Sequence, residues 1–125
     1  MQLTLTPTTL QIHLTGQERL WAFHLGCLIE VPLTKITRVT TELPVSTWRE
    51  IRAPGTYLPG VIKAGTYYTE RGREFWYVTD WSSVLHLEIQ DDYYQEIILT
   101  VADHLTWVER IRQRISPPIQ FSVDT

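Results

Sequence analysis

Apolar side chains recur at every second position along most of this chain, and that period of two commits it to sheet. In Leu10-Gln11-Ile12-His13-Leu14 the apolar residues sit two apart. Successive side chains of an extended backbone point to opposite faces, so this run presents one apolar face. Trp21, Phe23 and Leu25 alternate in the same way, and so do Ile29, Val31 and Leu33. Thr15-Gly16-Gln17-Glu18 reads as a turn between the first two runs. Pro32 cannot donate to a ladder, which puts its strand at an edge or ends it. Ile36 and Val39 mark a further extended segment.

The later strands are clearer. Thr66-Tyr67-Tyr68-Thr69 and Glu74-Phe75-Trp76-Tyr77-Val78 flank Glu70-Arg71-Gly72-Arg73, and a glycine in a short polar link between β-rich runs signals a hairpin. Asp80 to Ser83 reads as a turn. From Val84 to Gln90, Leu85, Leu87 and Ile89 are expected inward, with His86, Glu88 and Gln90 outward. Asp91-Asp92 turns the chain again, and Ile97, Leu99 and Val101 share one face of the last strand.

At Asp103 the period changes. Asp103 is placed to cap a helix, because its carboxylate can accept the first free backbone N–H groups. Trp107, Val108, Ile111 and Ile115 then follow at helical spacing and make one apolar stripe. Arg110, Arg112 and Arg114 sit where positive charge suits a helix C-terminus. Pro117 and Pro118 end the helix. Residues 1–116 are therefore expected to form one domain, with 117–125 a loosely attached tail.

Residues 43–65 interrupt the alternation. Pro44, Pro54, Pro59, Gly55, Gly60 and Gly65 fall here, and the glycines recur every five residues. The segment reads as a long structured connection with a short strand near Trp48 to Arg52. Spaced glycines can form anion-binding nests, with Arg49, Arg52 and Lys63 adding charge. The plainer reading, a rigid connection with special turns, is preferred. Gly60 is followed by Val61-Ile62, which is not a phosphate-binding P-loop.

Charge and composition narrow the function. The chain has 125 residues, a net charge of −3 and one cysteine. Cys27 alone cannot form an internal disulfide, so no oxidising compartment is required. The first nine residues carry no secretory leader pattern, and no run approaches the ~20 apolar residues that span a bilayer. A cytoplasmic location is expected. Residues 49–73 carry a net of +3, and residues 74–109 hold eight acids and no base. The acidic block is expected to be a solvated face. It argues against nucleic acid, which needs a concentrated basic surface. His24 and Cys27 lack further metal ligands, Ser82, Ser83 and His86 do not form a triad, and Asp91-Asp92 alone does not hold a cation. No enzyme activity, metal or cofactor is expected.

The order of about seven short strands and one C-terminal helix resembles that of a pleckstrin-homology-like (PH-like) domain. Ile29-Glu-Val-Pro-Leu-Thr-Lys-Ile-Thr-Arg-Val39 resembles an I-x-x-P-L-x-x-I-x-x-V step of bacterial PH-domain proteins. Arg52-Ala-Pro-Gly-Thr-Tyr-Leu-Pro-Gly-Val-Ile-Lys-Ala-Gly-Thr-Tyr67, continued by Glu74-Phe-Trp-Tyr-Val78, is similar to a segment of bacterial members with no assigned role. The resemblance covers roughly residues 9–115. It implies a mostly-β, partly open barrel: two near-orthogonal antiparallel sheets capped by the helix, with Trp107 as a core anchor. It does not fix a function. Phosphoinositide-binding relatives gather Lys and Arg at the first hairpin, where Leu14 to Trp21 offers only Arg19 beside Glu18.

The leading expectation is a non-enzymatic interaction module whose partner is another protein or a second copy of itself. Arg49, Arg52, Tyr57, Lys63, Tyr67, Arg71 and Arg73 are the candidate binding residues. Pro54, Gly55, Pro59, Gly60 and Gly65 are the candidate structural loop. Tyr68, Trp76 and Tyr77 are further rings of which core packing claims most. Two alternatives stay open: peripheral binding to an anionic membrane through the basic residues 49–73, and a small ligand held inside the barrel.

Overall fold

The period-two segments become strands, and the last segment becomes a helix. A computed structural model describes residues 1–18, 28–42, 51–58, 62–69 and 72–115, with the backbone alone over 51–58. The early strands are β1 (Gln2–Leu5), β2 (Thr9–His13) and β3 (Leu28–Pro32). They form a three-stranded antiparallel sheet in that order. A single 3-10 turn, Leu33–Lys35, then hands the chain to β4 (Ile36–Thr40). The later strands are β5 (Ile51–Leu58), β6 (Ile62–Thr69), β7 (Gly72–Val78), β8 (Val84–Ile89) and β9 (Glu96–Thr100). With β4 they form a six-stranded sheet in the order β4-β8-β9-β7-β6-β5. Helix α1 spans His104–Ile115.

Several expectations change here. Nine strands are present among the described residues, where about seven antiparallel ones were expected. One pair, β7 with β9, is parallel. The cause is topological. β8 is separated from β7 by one strand position, and β9 returns into that slot, antiparallel to β8 and so parallel to β7. The β7–β8 link crosses the end of β9 and is tied to it: the Thr79 and Asp80 amides donate to Thr100 Oγ1 at 2.9 and 3.0 Å.

Residues 53–58 and 62–65, read as part of a connection, belong to the β5–β6 hairpin, whose strands also take in Ile51-Arg52, at the expected short strand, and Thr66 to Thr69, expected as a strand. β5 tolerates Pro54 because it lies at the sheet edge and carries a register shift between Arg52 and Gly55. Ala53 and Pro54 there stand against one residue of β6, and a bulge at an edge is where a strand accommodates proline. Thr15 to Glu18 is a helix start rather than a plain turn, since residues 16–18 are helical. The Glu18 amide donates to Thr15 Oγ1 at 3.1 Å and the Thr15 amide to Glu18 Oε1 at 2.9 Å, a reciprocal capping box. The runs at 20–25 and 43–50 and the tail at 117–125 lie outside the described residues.

One core joins both sheets and the helix. Leu10, Ile12, Ile29 and Val31 of the first sheet meet Phe75, Leu87 and Ile97 of the second. Val108 and Ile111 bring α1 into the same cluster, with Trp107 and Ile115 half-buried beside them. Trp107 is thus a flank of the contact rather than its anchor, and Arg110 stacks on its ring at 4.1 Å. A second cluster, Tyr67, Trp76, Val78, Val84 and Ile98, lies on the opposite face of the large sheet.

Truncating Ile111, which is 0% exposed, to alanine is expected to cost about 2–5 kcal/mol. Leu105→Ala, at a site 68% exposed on the same helix, is expected to stay within about 0.5 kcal/mol. Urea unfolding of the two variants measures the contrast.

Candidate functional site

The residues singled out from sequence do not converge on one surface. Arg49, Arg71, Pro59 and Gly60 lie outside the described residues. Arg52, Pro54, Gly55 and Tyr57 lie along β5. Gly55 is paired with Gly65 of β6, so these two glycines serve a strand ladder and not a loop that cradles an anion. Lys63 and Tyr67 point into the fold, each 2% exposed. Lys63 Nζ sits 3.7 Å from the Trp76 ring centre and 4.5 Å from that of Tyr67. Of the candidate binding residues with described side chains, only Arg73 reaches an exposed group of side chains.

The acidic block is not one solvated face. Glu74 and Glu96 are 0% and 6% exposed and are register partners on β7 and β9. Buried carboxylates need hydrogen-bond donors. Glu74 accepts from Trp76 Nε1 and Thr69 Oγ1, both at 2.9 Å. His86, expected outward, is buried because the second face of the sheet is also covered. Its Nε2 lies 2.7 Å from Glu96 Oε1, and its Nδ1 lies 3.0 Å from the Glu42 carbonyl oxygen. A carbonyl oxygen only accepts, so Nδ1 carries a hydrogen. Ser82 is engaged elsewhere, its hydroxyl donating to Asp80 Oδ1 at 2.6 Å. Among the described residues no cluster of three or more His, Cys, Asp or Glu could hold a metal ion.

The surface with binding character lies where β7 begins and the β8–β9 turn ends. The turn is rigidly built. Asp91 takes a left-handed φ of 55°, and its carbonyl accepts from Lys35 Nζ at 2.8 Å. Gln95 clamps the turn to β7: its Oε1 accepts from the Arg73 amide at 2.7 Å, and its Nε2 donates to the Asp92 carbonyl at 2.9 Å. Gly72 makes room for this clamp. Its φ is +115°, and a Cβ there would fall 2.6 Å from Gln95 Oε1.

On this platform Tyr93 stands out, 59% exposed. The Arg73 guanidinium lies 3.9 Å from the Tyr93 ring centre and 5.5 Å from that of Tyr68, and its Nη1 donates to the Tyr93 carbonyl at 3.0 Å. Tyr94 turns inward instead, edge-on to Tyr93 at 4.8 Å and against Phe75 at 5.5 Å. Burial pushes the Tyr94 hydroxyl's pKa above its ordinary value, partly offset by its contact with Thr66. Beside Tyr93 runs a groove of about 210 Å³ between β3 and the turn, with Ile89, Tyr94 and Ile97 among the residues that line it.

Sequence reading reached Arg73 but missed Tyr93 and Leu28, which become neighbours only through the fold. It also missed the buried Glu74, His86 and Glu96. The available signal was the near-continuous apolar runs after Glu74 and Glu96, which mark strands covered on both faces. No protein-family model matches the chain, and no curated protein and no solved structure matches it.

Gly72→Ala is expected to lower stability by about 1–3 kcal/mol through backbone strain, read as a drop in thermal midpoint. Tyr94 supports a pH prediction. Its folded pKa is raised, so its contribution to stability is complete below the ordinary tyrosine value of about 10. That contribution is lost as pH rises through the folded value. Unfolding free energy measured from pH 9 upward should decline, and Tyr94→Phe should flatten the decline.

Proposed function

We propose that this chain is a non-enzymatic interaction module of the PH-like type, cytoplasmic, which reads a protein partner at the Tyr93 face. One observation carries this reading. Four large hydrophobic residues are exposed among the described ones: Leu28, Tyr68, Tyr93 and Leu105. Three of these gather at this one place, since Leu28 and Tyr93 line the same groove and Arg73 links Tyr93 to Tyr68. Exposed tyrosines around a stacked arginine have the composition of an interface hot spot.

The strand-rich body closed by a C-terminal helix supports the PH-like reading. The parallel β7–β9 pair departs from the all-antiparallel sheets that the resemblance implies. Leu10, Phe75, Leu87 and Ile97 fill the space between the sheets, which leaves little support for a ligand inside the barrel. Lys63 is buried and Arg73 is stacked on rings, which weakens the membrane alternative. No described helix is long and apolar enough to cross a membrane.

A photo-crosslinking residue placed at position 93, with position 105 as control, tests the reading in native extract. Discrete protein adducts from 93 that disappear with Arg73→Ala are expected. Equal labelling from both positions, or none from 93, would overturn it.

A further inference from the structure

The groove beside Tyr93 has one wall that is not made of side chains alone. Its lining includes the four consecutive residues Leu28 to Val31, which belong to β3, the outer strand of the three-stranded sheet. The direction of the β3 backbone follows from the ladder. Leu33 N–H donates to the Thr8 carbonyl at 2.9 Å, and the register continues as Leu10↔Val31 and Ile12↔Ile29. Hydrogen-bonded and non-bonded pairs alternate in an antiparallel ladder. Val31 and Ile29 therefore bond to β2, while Glu30 and Leu28 turn their N–H and C=O groups towards the groove. Pro32, next in that outward series, has no N–H to leave unpaired.

Resting on the reading of this face as a partner site, we infer that the groove takes an extended protein segment, which adds to β3 as a further strand. Alternate side chains of that segment enter the space over Ile89, Tyr94 and Ile97. Edge addition of this kind draws affinity from backbone hydrogen bonds and selectivity from pockets for every second residue. A groove of about 210 Å³ is smaller than the ~300–1,000 Å³ of small-molecule sites, but it suits a few side chains. Charge completes the chemistry. Among the described residues, the charged side chains lining the groove are both acids, Glu30 and Asp92. Glu30 also accepts from Gln11 Nε2 and Thr9 Oγ1 on the outer sheet face, and Arg73 lies on the Tyr93 ring. The segment is thus one that alternates apolar with basic residues.

The test uses the full chain, isotope-labelled, and three synthetic peptides observed by NMR: a capped Lys-Val-Lys-Val-Lys-Val, its Glu-Val counterpart, and the basic peptide N-methylated at alternate residues. The basic peptide is expected to shift the Leu28 and Glu30 amide signals and to slow their exchange with solvent. The acidic peptide should bind at least about tenfold more weakly, which corresponds to ~1.4 kcal/mol, and the N-methylated peptide should lose the exchange protection. Shifts confined to Tyr68, Arg73 and Tyr93, with Leu28 and Glu30 exchanging as before, would overturn strand addition and leave the partner face standing. Equal binding of the acidic peptide would overturn the charge assignment. No response to the basic peptide would overturn the inference as a whole, while crosslinking from position 93 decides the partner face independently.

Discussion

Everything in the larger sheet depends on the insertion of β9 between β8 and β7. Among the described residues, its ladders on both sides join the β4–β8 pair to the β7-β6-β5 half. Both faces of the strand are covered: Ile97 and Leu99 enter the core shared with the first sheet and α1, while Ile98 joins the cluster around Trp76. A central strand of this kind must supply side chains to two interiors, which explains its near-continuous apolar run. Its one acid, Glu96, has His86 at hydrogen-bond distance.

The two faces of that sheet do different work. One is a conventional apolar core. The other mixes rings with buried Lys63, Glu74, His86 and Glu96. Polar groups in a low-dielectric interior are costly unless bonded, and bonded networks hold neighbouring strands in one register. Here Glu74 engages two residues of β6 and β7, and His86 spans from β9 to the chain segment after β4. The network lies beneath the sheet, away from the Tyr93 face, which stands at the end of the apolar side.

Much of this fold was legible, and the reasons it was not fully so are physical. β2, β3, β8 and β9 follow from alternation, and α1 begins where the period changes. Pro32 marks the end of an edge strand, as its missing N–H requires. β1 escaped notice because Gln2-Leu-Thr-Leu5 is short and borders a polar turn. The glycines and prolines of β5 and β6 resemble loop punctuation, and their strand state depends on a bulge and on pairing that only the partner strand supplies. The binding face was least legible. Leu28, Tyr68 and Tyr93 come from three distant parts of the chain, and no local pattern says that alternation will leave them exposed together.

The insertion of β9 also orders events in time. A chain made from its N-terminus exposes β4 through β8 before residues 96–100 exist. During that interval the β5-β6-β7 meander can pair internally, but among the described residues no ladder joins β4 or β8 to it directly. Pairing β4 with β8 closes a loop that contains that meander, and such non-local closure is intrinsically slow. Until β9 arrives, β7 and β8 each present a bare strand edge, the kind of edge that recruits other chains. The last of these nine strands to be synthesised is therefore the one that removes two sticky edges at once.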